Sequence, residues 1–134
     1  MKKYISWDEL EKLVDELCDM IPENQYEGIY AIPRGGLIIG VMMSHKLGIP
    51  LIGRLQGYYG KTFLIVDDIA DTGATLEKFK AEVFSDADMA TIHYHKQSSV
   101  VPDYHVEEKG DRWIVYPWEQ DNSEEIQDYL KETK

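Results

Sequence analysis

Phe63-Leu64-Ile65-Val66-Asp67-Asp68-Ile69-Ala70-Asp71-Thr72-Gly73-Ala74-Thr75-Leu76 is the stretch that decides the fold. It divides into three parts. Thr62 to Val66 is apolar and partly β-branched, which predicts a strand buried on both faces. Asp67 and Asp68 follow where that strand emerges. Their carboxylates can accept hydrogen bonds from neighbouring sugar hydroxyls or help to hold a hydrated divalent cation. Asp71 to Thr75 is a polar turn leading into a helix with Leu76, Phe79 and Val83 on one face. Gly73 lets backbone approach a ligand closely. Free N–H groups and the helix dipole favour a phosphate there, and Thr72 and Thr75 add hydroxyl donors. Sugar-binding acids beside a phosphate cradle describe a ribose 5-phosphate site. A solvated strand end capped by Asp71 or Thr72 suits the Asp-Thr-Gly fragment alone, but not the whole string.

Outward from this stretch, strand and helix alternate. Ser6-Trp7-Asp8-Glu9 matches a capping box, with Glu9 reaching back to the start of a helix. Leu10, Leu13, Val14, Leu17 and Ile21 follow at helical spacing, and Pro22 stops it. Gly28 to Ile32 reads as a buried strand. Gly35 and Gly36 open a helix to about Leu47, with Gly48 as its cap; it is apolar nearly all round, which predicts deep packing. Pro50 to Gly53, Met89 to Tyr94 and Trp113 to Tyr116 read as further strands, and Ser123 as the cap of a last helix. The pattern predicts one α/β domain, residues 1–134, with a mainly parallel twisted sheet flanked by helices. Ligands in such sheets bind at the carboxyl ends of the strands. A receiver-type phosphorylation domain also uses acids there, but its acid pair follows the first strand. Here that strand leads into Pro33-Arg34-Gly35-Gly36.

Pro33 to Gly36 is a second anion site, with exposed N–H groups beside a guanidinium suited to phosphate oxygens. The chain has 134 residues and a formal net charge of -11, so it repels nucleic acid and anionic membranes at long range. A phosphate ligand must then be held by local devices. No apolar stretch is long enough to span a bilayer, and no secretory leader is recognisable. Cys18 is the single cysteine; with no partner it excludes an internal disulfide and a Cys-rich metal site, which fits a cytoplasmic setting. His93 and His95 alternate along a strand and read as core or partly exposed histidines rather than metal ligands.

The string Phe63 to Leu76 resembles the phosphoribosyl pyrophosphate signature of the type I phosphoribosyltransferases. Gly28 to Pro50 resembles that family's pyrophosphate loop and following helix, with a cis peptide expected at Pro33–Arg34. Asp111 to Glu119 resembles the base-binding segment of its xanthine–guanine and hypoxanthine members. The resemblance implies the family fold, with a small hood formed by the chain ends. It implies ribose hydroxyls on Asp67 and Asp68, the 5-phosphate on Asp71, Thr72, Gly73, Ala74 and Thr75, and pyrophosphate on Arg34, Gly35 and Gly36. Trp113 would stack on the purine, the backbone at Ile114 would read the base edge, and Lys96 would meet the exocyclic oxygen. Asp71 would accept the purine's proton. Mg2+ is the implied cofactor, with Asp67, Asp68 and Glu119 as candidate ligands.

The implied activity is transfer of the phosphoribosyl group from phosphoribosyl pyrophosphate to hypoxanthine, guanine or xanthine, releasing pyrophosphate, as in purine salvage. A homodimer or homotetramer is implied as well. One departure stands out: only about nine residues, Gly53 to Lys61, join two strands where the family carries a long mobile loop. Tyr58, Tyr59, Arg54 and Lys61 are candidates to replace it. The short loop keeps open a second reading, a regulator that binds phosphoribosyl pyrophosphate or nucleotide without turnover. A transferase for a different base is a third.

Overall fold

The computed structural model describes residues 1–53, 62–82 and 87–119. The Gly53 to Lys61 connection beyond its first residue, Val83 and the helix expected after Ser123 lie outside them. The elements are β1 (Lys2–Tyr4), α1 (Trp7–Met20), β2 (Gly28–Ala31), α2 (Gly35–Leu47), β3 (Leu51–Ile52), β4 (Phe63–Ala70), α3 (Ala74–Glu82), β5 (Ala87–Tyr94), β6 (Tyr104–Glu108) and β7 (Trp113–Val115).

Five strands form one sheet in the order β3-β2-β4-β5-β6, and every pairing is parallel. β4 is central because its side chains are apolar on both faces. Leu64 and Val66 point to one side, into a core shared with Leu10, Leu13, Val14 and Leu17 of α1 and Ile39 and Met43 of α2. Phe63 and Ile65 point to the other, against Leu76 and Phe79 of α3. Strand periodicity of two and helical periodicity of 3.6 thus build a three-layer domain. From β2 the chain goes outward to β3, and β4 then lies on the opposite side of β2. The carboxyl ends of β2 and β4 therefore flank a topological switch point, where an open sheet leaves a crevice.

A second, two-stranded sheet pairs β1 with β7, Lys2 opposite Trp113 and Tyr4 opposite Val115. It is the expected hood at the chain ends. β1 was not expected, being only three residues, two of them lysines. β6 was not expected either, because Tyr-His-Val-Glu-Glu carries little apolar content and lies at the sheet edge. β4 is also longer than expected: it continues through Asp67 and Asp68 to Ala70, because β5 keeps pairing with it up to Tyr94. The acids sit inside the strand rather than at its end.

Ser6 caps α1 by accepting the Glu9 N–H at 3.1 Å. The Glu9 carboxylate pairs with Lys3 at 3.4 Å, so the reciprocal half of the capping box is not the bond seen. α2 ends on Gly48 at φ 67 as expected. It is less deeply packed than its composition predicts: Leu37 and Val41, one turn apart, are 41% and 42% exposed. Cys18 is buried. Among the described residues no helix is long and apolar enough to cross a membrane. Replacing Ser6 with Ala should cost about 1 kcal/mol, the usual worth of an N-cap. Urea unfolding measures it, and an unchanged midpoint would show that the cap is idle.

Candidate functional site

β2 ends at Ala31, opposite Val66. The Ile32 N–H gives the last bond to the Val66 carbonyl, at 2.9 Å. Beyond that rung β4 has β5 on one side and, among the described residues, no strand on the other, and Asp67 and Asp68 line the crevice left in this gap. The Pro33–Arg34 peptide that turns the chain away is cis, as expected. The close approach is made possible by glycine. A Cβ at Gly35 would overlap the Asp68 carboxylate, and one at Gly36 would come within 2.5 Å of the Val66 carbonyl.

A cavity of about 380 Å³ opens here, within the range of small-ligand sites. Its walls bring together Arg34 and Gly35 from the β2–α2 turn, Asp67 and Asp68 from β4, and Asp71, Thr72, Gly73 and Thr75 from the turn before α3. Trp113, Ile114 and Glu119 come from the hood. These segments are far apart in sequence, and the crossover topology makes them neighbours. Three expected residues are not on the wall: Gly36, Ala74 and Lys96. The Gly36 N–H is already bonded to the Ile32 carbonyl at 2.9 Å, so its amide is not an open anion donor. The Ala74 N–H faces Thr72 Oγ1 at 3.3 Å. Lys96 has an exposed side chain in the turn after β5.

The phosphate-type turn is braced from behind. Gly73 has φ 90, and a Cβ there would meet Ser99 Oγ at 2.5 Å and Ser98 Oγ at 2.8 Å. The Ser99 N–H donates to the Thr72 carbonyl at 2.9 Å. The sequence reading did not single out these serines; Gly73 marks the turn but says nothing of what presses on it.

A polar chain links the main sheet to the acids. His93 is fully buried, with Nδ1 2.7 Å from Tyr116 Oη and Nε2 3.1 Å from Glu107 Oε1. Tyr116 Oη also lies 3.1 Å from the Asp68 carbonyl. Burial lowers the His93 pKa and favours the neutral ring. The tautomer follows from its partners: Nε2–H donates to the Glu107 carboxylate, and Nδ1 accepts. Tyr116 therefore offers one hydroxyl proton to two acceptors. His95 is 7% exposed, so both histidines are core residues, as expected. Trp118 stacks on Tyr116 with ring centroids 4.9 Å apart and planes at 5°. Both rings lie on the cavity wall, Trp118 half-buried and Trp113 45% exposed.

The charges are uneven. Burial, reinforced by the neighbouring Glu119 charge, pushes the Asp68 carboxyl up to about 6. Asp67 Oδ1 accepts the Asp68 N–H at 2.9 Å, and Glu119 Oε1 accepts the Tyr116 N–H at 2.8 Å. The expected three-carboxylate cation site is accordingly not assembled: among the described residues no three such side chains converge. A residue that was not anticipated, Lys109, pairs with Asp71 at 3.2 Å. Nothing in one sequence separates it from the other 13 of the 14 lysines and arginines.

No protein-family model matches the chain. It is 31% identical to a xanthine-guanine phosphoribosyltransferase of Chromohalobacter salexigens, over 86% of this chain and 82% of that protein. It is 32% identical to a xanthine-guanine phosphoribosyltransferase of Idiomarina loihiensis, over 87% and 86%. Its structure superposes on the crystal structure of a purine phosphoribosyltransferase from Pyrococcus horikoshii with a TM-score of 0.83 and 33% identity, covering 93% of this chain and 98% of that one.

The raised Asp68 value makes a pH prediction. The folded state holds this proton more tightly than the unfolded chain, so the associated stability is whole below about pH 4 and is lost as pH rises through about 6. Asp68→Asn cannot ionise. It should melt several degrees above the unsubstituted protein at pH 8 and near it at pH 4.5, by thermal unfolding. No gain at pH 8 would show that the Asp68 charge is not strained.

Proposed function

We propose that this chain, which belongs to the xanthine-guanine phosphoribosyltransferase family, joins a 6-oxopurine (hypoxanthine, guanine or xanthine) to the anomeric carbon of phosphoribosyl pyrophosphate and releases pyrophosphate. One observation carries the reading: the acid pair, the Asp71–Thr75 turn and the exposed Trp113 ring face a single cavity of about 380 Å³. Two reactants can be held there side by side, which turns a bimolecular encounter into an oriented one.

In this proposal the turn before α3 takes the 5-phosphate on its N–H groups and the Thr72 and Thr75 hydroxyls. Asp67 and Asp68 accept from the ribose hydroxyls. Trp113 supplies a flat face for the base, and the Ile114 backbone reads its edge. Asp71 accepts the proton that the base loses, its carboxylate held in place by Lys109 at 3.2 Å. Arg34 and the Gly35 amide steady the departing pyrophosphate. The acids Asp67 and Asp68 offer hard oxygen donors that fit Mg2+, which is commonly held by one or two carboxylates together with substrate phosphates. When bound, it would neutralise charge on the pyrophosphate. In a chain of net charge -11, such neutralisation is needed to bring a polyanion to an acidic wall.

We also propose a homodimer or homotetramer. Leu37 and Val41 on α2 and Leu51 on β3 are exposed apolar side chains that a second copy would cover. Sedimentation at micromolar concentration should show a dimer or larger; a monomer throughout would end that part.

The decisive assay mixes the protein with magnesium, phosphoribosyl pyrophosphate and each of hypoxanthine, guanine, xanthine, adenine and uracil, and looks for nucleotide. Product is expected with an oxopurine. Measurable phosphoribosyl pyrophosphate binding with no product from any base would favour the regulator instead. Asp71→Asn should lower kcat by roughly 100-fold or more, the usual weight of a general base, and spare binding. Unchanged turnover would remove Asp71 from the mechanism.

A further inference from the structure

In the transfer reading the main sheet holds the sugar and the hood holds the base. Asp67 and Asp68 belong to β4, whereas Trp113 and Ile114 belong to β7, in a separate sheet. Bond formation needs the reacting base nitrogen and sugar carbon about 3–3.5 Å apart, and an error of about 1 Å can cost roughly 100-fold in rate. The two sheets must therefore be fixed relative to each other, a tighter demand than being folded.

Tyr116 follows β7 directly and reaches across to the main sheet. It is 2% exposed and lies on the cavity wall. Its hydroxyl stands 2.7 Å from His93 Nδ1 of β5 and 3.1 Å from the Asp68 carbonyl of β4. The contact falls where the sheet gives least support. The β4–β5 register pairs Asp67 with Thr91 and Ile69 with His93, and passes over Asp68. The Asp68 N–H turns instead to Asp67 Oδ1, and its carbonyl to Tyr116. Both ends of the link are held. Trp118 covers the Tyr116 ring, the Tyr116 N–H donates to Glu119 Oε1 and its carbonyl accepts the Glu119 N–H at 3.0 Å. His93 is fully buried and anchored to Glu107 at 3.1 Å. A hydroxyl placed in this way transmits a shift of one sheet to the other.

We propose that Tyr116 is a positioning residue for the transfer: its hydroxyl, seated between His93 and the Asp68 carbonyl, sets the distance between the Trp113 side of the cavity and the β4 acids. The proposal rests on the phosphoribosyl-transfer reading. It adds that the alignment of the two reactants is set by a side chain that touches neither.

Tyr116→Phe removes the hydroxyl and keeps the ring, and two measurements on the purified full chain read the result. Calorimetry compares inosine 5′-monophosphate, whose base and sugar are joined at a fixed length, with ribose 5-phosphate, which needs the sugar side alone. Tyr116→Phe should weaken the nucleotide by roughly 10-fold and ribose 5-phosphate by less than about 2-fold. In turnover with magnesium, phosphoribosyl pyrophosphate and hypoxanthine, kcat should fall by roughly 10- to 100-fold while KM for phosphoribosyl pyrophosphate changes by less than about 3-fold. Tyr26→Phe is the control, since Tyr26 is buried, bonded to Asp88 and Tyr104, and off the cavity wall. It should lower the melting temperature and leave both measurements unchanged. The same outcome for Tyr116→Phe would make Tyr116 merely structural and overturn the proposal. So would equal weakening of the two ligands. Removing the hydroxyl leaves His93 Nδ1 without a donor. If Tyr116→Phe does not fold, adding His93→Leu removes that unpaired atom, and the same split between ligands must appear. If the unsubstituted protein makes no nucleotide from any base, the transfer reading fails by itself, and calorimetry still decides: the nucleotide must bind more tightly than ribose 5-phosphate, and that advantage must fall with Tyr116→Phe. Equal binding of the two by the unsubstituted protein would overturn the proposal.

Discussion

Everything in this molecule depends on β4 outrunning β2. The two strands are paired for four residues, Gly28 to Ala31 against Phe63 to Val66, and then only β4 continues. A buried strand edge must satisfy its N–H and C=O groups. One edge of β4 is served by β5, and the other opens onto the crevice. The apolar half of the strand anchors the core, while its last four residues place two carboxylates at a fixed height above the sheet. A ligand meets side chains whose backbone is as rigid as the centre of the fold.

The second constraint is electrostatic. Asp67, Asp68, Asp71 and Glu119 share one wall, against Arg34 and Lys109. Such a wall is at odds with its own charge, and the elevation of Asp68 records this. The protein manages the tension locally. Asp67 takes the Asp68 N–H, Glu119 takes the Tyr116 N–H and Asp71 takes Lys109. Asp67, Glu119 and Asp71 thus each have a protein partner that offsets part of their charge. A site of this kind trades stability for readiness to bind.

Much of this was legible in the sequence because it rests on local rules. The Ser6 cap, the Gly48 stop and the apolar runs of β2, β4 and β5 follow from short-range pattern, as does the turn at Gly73. The acids and Arg34 stand out because their chemistry is unusual for their surroundings, whereas Trp113 is singled out only by the resemblance of Asp111 to Glu119 to the family's base-binding segment. What escaped rests on long-range contact. β1 exists because Lys2 meets Trp113, and β6 because it adds to an edge that β5 leaves open. Neither carries the periodicity of a buried strand. Lys109 and Tyr116 gain significance from what lies across the cavity, and no spacing in the chain announces that. Lys96, singled out by the resemblance, has an exposed side chain in the turn after β5.

The β1–β7 sheet has a consequence in time. Trp113 is held by a strand more than a hundred residues away along the chain, with its N–H on the Met1 carbonyl. The side of the cavity that carries Asp67, Asp68 and the Asp71–Thr75 turn, by contrast, rests on β2, β4 and β5, which are direct neighbours in the sheet and follow one another along the chain apart from β3. Contacts of long sequence separation are slow to form because the chain entropy must be lost before the contact repays it. During synthesis the Asp71–Thr75 turn can therefore be in place while the Trp113 side of the cavity is still unmade. The two halves of one cavity have different histories in the folding of the chain, and the half that carries Trp113 is completed only when β1 and β7 pair.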